Sequence, residues 1–337
     1  MRRARTPITA IVLTLLASAL TGCSLLGASN NDAPAGGAQP NGKVEKAKIR
    51  VGALPVVDMG PFYLALDRGY FKAEGLEVEP VLAASGQANI NAVINGDIDV
   101  SFGSYPAALL AQSKKAADLK IVAEALAAKP GHIVLGAPPN SPAKRLRDVA
   151  GKRIAVTAKN TMCDLAPKAV LESQNVDYKD ITWVELSFPD MIPAMQRGQV
   201  DAACLVEPWA TIAAKQIGAV PLLDGASGPT ANMPMAGFVV NAGQGKFGSS
   251  NPKTIAAFQR GLAKAAIEAQ DRTKVEPILS KYVKIDEGTA KIMTIATYST
   301  SLDPVRVQRV ADLMEHFGVL KEHLDVSKMI WNGNRGT

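Results

Sequence analysis

Gly96-Asp97-Ile98-Asp99-Val100 and, 102 positions later, Gly198-Gln199-Val200-Asp201-Ala202 share one pattern: a turn glycine, then an aspartate set between apolar residues. The echo extends upstream, where Ile49-Arg50-Val51 is matched by Arg153-Ile154-Ala155-Val156 at a similar offset. A unit that recurs at this distance predicts two lobes of similar topology. Around the first copy, residues 48–54 form a short apolar run and residues 61–66 a helix-like one. Leu76 and Val78 alternate with Glu77 and Glu79 as in a half-buried strand. Ile90, Val93 and Ile94 have helical spacing, Gly96 ends that helix, and residues 98–102 read as a strand. This β-α-β-α-β order predicts an α/β protein with parallel sheets covered by helices.

Beyond the second copy, residues 235–241 are another apolar strand. Asn251-Pro252 then looks like an N-cap with proline at N1, opening a helix with Ile255, Phe258, Leu262 and Ala266 on one face. Asp303-Pro304 repeats the device before Val307, Val310, Met314 and Phe317. A helical tail after two similar lobes predicts a chain that crosses to the second lobe and returns to the first. The expected division is residues 47–130 and 243–337 in lobe one and 131–242 in lobe two.

The first forty residues set the expected location. Arg2, Arg3 and Arg5 precede an apolar stretch at residues 8–20, the length of a signal core and too short to span a bilayer. Arg5-Thr6 stands where a twin-arginine signal has two apolar residues, which favours the general secretory route. Leu20-Thr21-Gly22-Cys23 has the form of a lipobox, so residues 1–22 are expected to be a lipoprotein signal peptide and Cys23 the lipidated residue. Residues 23–46, rich in Gly, Ala, Asn, Pro and Ser, have little to bury and are expected to be a flexible tether. Localisation is therefore extracytoplasmic, lipid-anchored to the cell membrane.

Composition excludes several classes. The chain has 37 Lys+Arg against 31 Asp+Glu, net +6. Three of the basic residues belong to the signal, and the remaining excess is too thinly spread to argue for nucleic acid. The three histidines, His132, His316 and His323, are scattered, with no Cys/His spacing for a metal; each reads as a surface or internally satisfied side chain. No cofactor is expected. With Cys23 lipidated, Cys163 and Cys204 are left either to pair in an oxidising compartment or to lie buried as thiols.

Four motifs in order carry a family resemblance: Gly69-Tyr70-Phe71-Lys72-Ala73-Glu74-Gly75-Leu76-Glu77-Val78, the Asn95-to-Val100 turn and strand, Asp148-Val149-Ala150-Gly151-Lys152-Arg153-Ile154-Ala155-Val156, and residues 198–209. Together they resemble the nitrate, aliphatic sulfonate, taurine and thiamine-pyrimidine binding proteins of ABC importers, over residues 48 to 325. The resemblance implies the type II periplasmic-binding-protein fold: two α/β lobes with mostly parallel sheets, joined by two crossovers, with a small-molecule ligand in the cleft. It implies an ABC permease and ATPase as partners, a monomer, and binding without catalysis. A pyrimidine-precursor synthase on the same fold is the enzyme alternative. That class carries clustered cysteines with an active-site His and Lys; this chain has no clustered Cys and no His in a predicted cleft loop. A ligand-sensing lipoprotein without a permease is the third.

In such a fold the ligand lies beyond the carboxyl ends of the strands, where helix N-termini present free N–H groups. Six loops are placed there. Asp58, Met59, Gly60 and Phe62 follow the first strand, Gly60 for close backbone approach and Phe62 for a ring face. Ser85, Gly86 and Gln87 open the next helix, a loop that the resemblance assigns to ligand donation. Gly103, Ser104 and Tyr105 end the third strand. In lobe two, Pro167 and Pro193 belong in first helical turns, which would put caps at Asp164 and near Asp190. Lys159, Asn160 and Thr161, together with Ser187 and Phe188, then form ligand loops. Glu207 and Trp209, around Pro208, are expected to accept from an amino group and to stack on a ring. Asp99 and Asp201 read as structural. On this set an organic ring or amine is slightly preferred over bare nitrate.

Overall fold

The repeated aspartate is a clasp between strands. Asp99 accepts from the backbone N–H of Arg50 at 2.9 Å and donates its own N–H to the Arg50 carbonyl at 2.8 Å. Asp201 does the same with Arg153, at 2.9 and 2.8 Å. In both copies the arginine reaches the turn glycine, Arg50 donating to the Gly96 carbonyl and Arg153 to that of Gly198. Both glycines have left-handed φ, 89° and 64°, which is why glycine is needed there. The turn lets the chain leave a helix, and the aspartate locks the returning strand beside the first strand of its unit.

The computed structural model describes residues 43–333. The signal peptide, Cys23 and the tether as far as residue 42 lie outside the described residues. Among the described residues eleven strands are formed: β1 (Lys48–Ala53), β2 (Glu77–Leu82), β3 (Ser101–Ser104), β4 (Leu119–Ala127), β5 (Ile133–Ala137), β6 (Arg153–Val156), β7 (Thr182–Glu185), β8 (Ala202–Val206), β9 (Val220–Asp224), β10 (Pro234–Asn241) and β11 (Thr297–Tyr298). In lobe one β1 pairs in parallel with β2 and bridges in parallel to Val100, just before β3. In lobe two the order is β7-β6-β8-β5-β9. The β-α-β strands are parallel to one another in both lobes. The strand that enters each sheet from the other lobe runs against them: β5 beside β8, and β10 between β3 and β4. It starts at the cleft, where the others end.

Because β10 completes the first sheet, the second crossing lies at residues 225–233, ahead of the boundary expected after residue 242. The expected tether also ends early. The Glu45 carboxylate accepts from the N–H groups of Lys253 and Thr254, at 3.1 and 2.9 Å, and so caps the helix Pro252–Glu268. Asn251 occupies the expected cap position, but its side chain donates to the Phe247 carbonyl instead. Lys46 pairs with Asp99 at 2.7 Å. The tail helix Pro304–His316 has the expected cap, Asp303 accepting from Val305.

Both proline-based caps in lobe two are corrected. The helix Met162–Ser173 begins at Thr161, whose hydroxyl accepts from Cys163 N–H while the Asp164 carboxylate accepts from Thr161 N–H at 2.7 Å. Pro167 therefore sits inside the helix, its missing N–H offset by this reciprocal cap and by the Asp164–Lys168 pair at 2.8 Å. In the helix Phe188–Gln196 it is Pro189 that occupies the first turn; Ser187 is the N-cap residue and Pro193 is internal.

Asp201→Ala removes a carboxylate that is 11% exposed and leaves Arg153 N–H without its partner. Its expected cost is about 1–3 kcal/mol, read as a lower midpoint in urea unfolding with an unchanged slope.

Candidate functional site

The carboxyl ends of the strands meet across a cleft. Lobe one contributes residues following β1, the helix start at Gly86 and the end of β3; lobe two contributes Thr157, the turn at Thr161 and Phe188. Four helices begin at this cleft: Gly86–Asn95, Tyr105–Ser113, Met162–Ser173 and Phe188–Gln196. Each directs the positive end of its dipole at the same space. The rest of the lining is apolar, including Leu54, Val56, Phe102, Ile133 and Met235. Among the described residues neither Lys nor Arg is part of it.

Of the expected ligand residues, Asp58, Gly86, Ser104, Thr161 and Phe188 line this cleft. Gly86 and Gly103 touch backbone to backbone: a Cβ on Gly103 would stand 2.9 Å from the Gly86 Cα. Glycine is therefore required at Gly103 by lobe-one packing. Ser85 caps its helix, accepting from Ala88 N–H at 3.2 Å, and Gln87 donates to Asn91. Lys159 is exposed and its N–H donates to Glu185; Asn160 takes a left-handed φ of 58° in the same turn. The Ser187 hydroxyl is taken up by Asp190.

Several expectations are overturned by burial. Phe62 is fully enclosed against Tyr63, Phe71 and Phe238, and Met59 and Tyr105 are likewise core. Gly60 lies under Tyr298, so the close approach it permits is to a core ring. Glu207 is 4% exposed and turned into the protein: it accepts from Thr211 N–H at 3.2 Å, from the Thr211 hydroxyl at 2.9 Å and from Thr294 N–H at 3.1 Å. Burial pushes its carboxyl above the usual range, with these donors and His132 pulling the other way. The Glu207 carbonyl accepts from Val57 N–H at 3.0 Å, and Trp209 Nε1 donates to the Pro55 carbonyl at 3.1 Å. Trp209 also lies parallel to Phe188, centroids 6.4 Å apart. Both residues brace lobe two against the loop after β1.

His132, read as a surface or satisfied residue, is the principal group missed. It is fully buried at the end of the first crossing, borders the cleft, and its Nε2 is 2.7 Å from Asp58 Oδ1. A carboxylate only accepts, so Nε2 carries the proton. Burial alone would depress the imidazole. The Asp58 carboxylate and its hydrogen bond, with Glu207 and Asp224 further off, outweigh that and hold its pKa above the ordinary histidine value. Nδ1 is buried with no hydrogen-bond partner among the described residues. Thr157 was also missed, two residues ahead of the loop assigned to the cleft, and Met162 of that loop lines it.

Cys163 and Cys204 form a disulfide, with Cα atoms 5.5 Å apart, that ties the start of the helix Met162–Ser173 to β8 beneath the cleft. One exposed group, Asp312, Glu315 and His323, brings its ligating atoms within 4.8 Å of one another, away from this cleft.

The two α/β lobes, the paired crossings and the cleft between strand ends define the periplasmic-binding-protein fold. The chain belongs to the NMT1-like family, whose model matches residues 42–283. Among solved structures it resembles the alkanesulfonate-binding protein SsuA of Xanthomonas axonopodis pv. citri, bound to MOPS, at a TM-score of 0.72 and 21% identity, covering 86% of this chain and 99% of that one. It also resembles the periplasmic nitrate-binding protein NrtA of Synechocystis PCC 6803, at a TM-score of 0.70 and 16% identity, covering 87% of each chain. A curated relative, the nitrate import ATP-binding protein NrtC of Synechocystis sp., is 27% identical over 188 residues. That match takes in 51% of this chain, which spans 28% of the length of that relative.

Reduction of the disulfide reopens a loop of 41 residues in the unfolded chain. The expected loss is roughly 2–5 kcal/mol of stability; unfolding curves with and without reductant, compared with Cys163→Ser/Cys204→Ser, measure it.

Proposed function

We propose that the chain is the extracytoplasmic solute-binding component of an ABC importer, and that it captures a small organic anion of the sulfonate type. The convergence of four helix N-termini on one apolar cleft carries this reading. Oriented backbone N–H groups and helix dipoles stabilise an anionic head without a lysine or arginine, while Leu54, Val56, Phe102 and Met235 offer cover to an apolar body. A bare nitrate would leave that apolar surface unused. An amine would need a free carboxylate, but Glu207 is bonded to Thr211 and Thr294, and Asp58 to His132. The expectation of a ring or amine rests on Glu207, Asp58 and the rings of Phe62, Tyr105 and Trp209; Glu207 and Trp209 serve as braces, Phe62 and Tyr105 are core, and Asp58 is bonded to His132.

Capture rather than turnover is supported by the same inventory. The whole chain has three cysteines, two of them joined in the disulfide, and the single buried histidine already holds a carboxylate partner. The solved relatives are named as binding proteins, and a disulfide suits an oxidising compartment. Lipid attachment at Cys23 would keep the protein beside its permease and ATPase as a tethered monomer.

Calorimetric titration with ethanesulfonate, sodium nitrate and an aminomethylpyrimidine tests the reading. The expected result is saturable one-site binding of ethanesulfonate, recovered unchanged, with the other two much weaker. Binding of the pyrimidine alone, or conversion of any probe, would overturn it. Cys23→Ala is expected to move the protein from the membrane to the soluble fraction.

A further inference from the structure

Asp58 follows β1 of lobe one, whereas His132 closes the first crossing and leads directly into β5 of lobe two. Their 2.7 Å contact therefore joins the lobes at the cleft. Most of the surrounding lining is apolar, and the remaining polar side chains are the hydroxyls of Ser104, Thr157 and Thr161. Thr161 is already committed to the Ala158 carbonyl at 2.9 Å. Among the described residues His132 is thus the one cation-forming side chain lining the cleft, with Nε2 bonded and Nδ1 enclosed without a partner.

We infer that His132 is the specificity-determining donor of this cleft: its Nδ1–H receives an anionic oxygen of the ligand, and the proton it needs couples capture to pH. The inference rests on the anion-binding reading above and goes beyond it by naming the side chain. The chemistry is that of two ring nitrogens with different duties. When the ring is neutral, the Asp58 carboxylate fixes the proton on Nε2 and leaves Nδ1 as a lone pair, which repels an anionic oxygen. When the ring is protonated, both nitrogens donate, one to Asp58 and one to the ligand. A buried donor without a partner is costly, and a ligand oxygen relieves that cost.

The groups whose charge reaches the ring are Asp58 from the loop after β1, Glu207 at the end of β8 and Asp224 at the end of β9. All three are acids and favour the imidazolium, which is why the ring pKa lies above its ordinary value despite complete burial. The sign follows: the donor is present below that pKa and is lost as pH rises through it. A bound anion stabilises the same protonated form, so capture takes up a proton where the free ring is partly neutral.

Titration of the full chain with ethanesulfonate at pH 5.5, 7.0 and 8.5 tests this. Affinity is expected to fall on the order of tenfold across the range, the weight of one charge-assisted hydrogen bond. Calorimetry in two buffers of different ionisation enthalpy is expected to show fractional proton uptake at the higher pH. His316→Gln/His323→Gln, which alters only exposed rings, should keep that uptake. His132→Gln is expected to bind more weakly with a flat pH profile, and Asp58→Asn to shift the fall to lower pH. If His132→Gln does not fold, proton uptake by the unaltered protein decides. Ethanesulfonate binding with constant affinity and no proton uptake would overturn the role of His132 and leave the importer reading standing. Failure of ethanesulfonate, nitrate and the pyrimidine to bind at any pH would overturn both.

Discussion

Neither sheet is finished by its own half of the chain. β10 enters lobe one from the second crossing and separates β3 from β4, and β5 enters lobe two from the first crossing and separates β8 from β9. Each crossing strand starts at the cleft, so Ile133 and Met235 contribute at once to a sheet and to the cleft wall. The lobes are therefore coupled through covalent chain that is pinned at both ends by a ladder. The cleft is bounded by the same two strands, and any relative motion of the lobes must be absorbed by the short segments at residues 128–132 and 225–233. His132 lies in the first of these, and Thr230, buried and donating to the Gly225 and Ser227 carbonyls, lies in the second.

Much of this architecture was legible because its determinants are local. A glycine in left-handed backbone and an aspartate three residues later specify how a strand leaves a helix and where it pairs, and both copies of that instruction stand openly in the sequence. The order of β10 was harder to read. An apolar strand of eight buried residues carries no mark of which sheet it joins. The proline argument failed for a related reason. A Thr161–Asp164 capping box is also legible in the sequence, but the cost of an internal Pro167 argues against it; the box, with the Asp164–Lys168 pair, outweighs that cost.

The chemistry of the cleft was less legible than its position. Five of the expected residues do face it, because strand ends and helix starts follow from the pattern. Polar side chains are assigned by distant partners instead. His132 finds Asp58 across 74 positions, and Glu207 is bonded to the Thr294 N–H across 87. A glutamate before Pro-Trp looks like an amine receptor until that second donor is known. A lone histidine looks inert until it is seen to share a buried space with three carboxylates.

The docking of Glu45 and Lys46 carries a mechanical consequence. Glu45 is bonded to the first turn of the helix Pro252–Glu268, and Lys46 to the aspartate that clasps β3 to β1. Any pull arriving along the preceding chain thus enters lobe one through two anchor points and is spread into its longest helix and its sheet. Lobe one therefore holds the docked segment directly, and lobe two is reached from it through the crossings and the braces at Glu207 and Trp209.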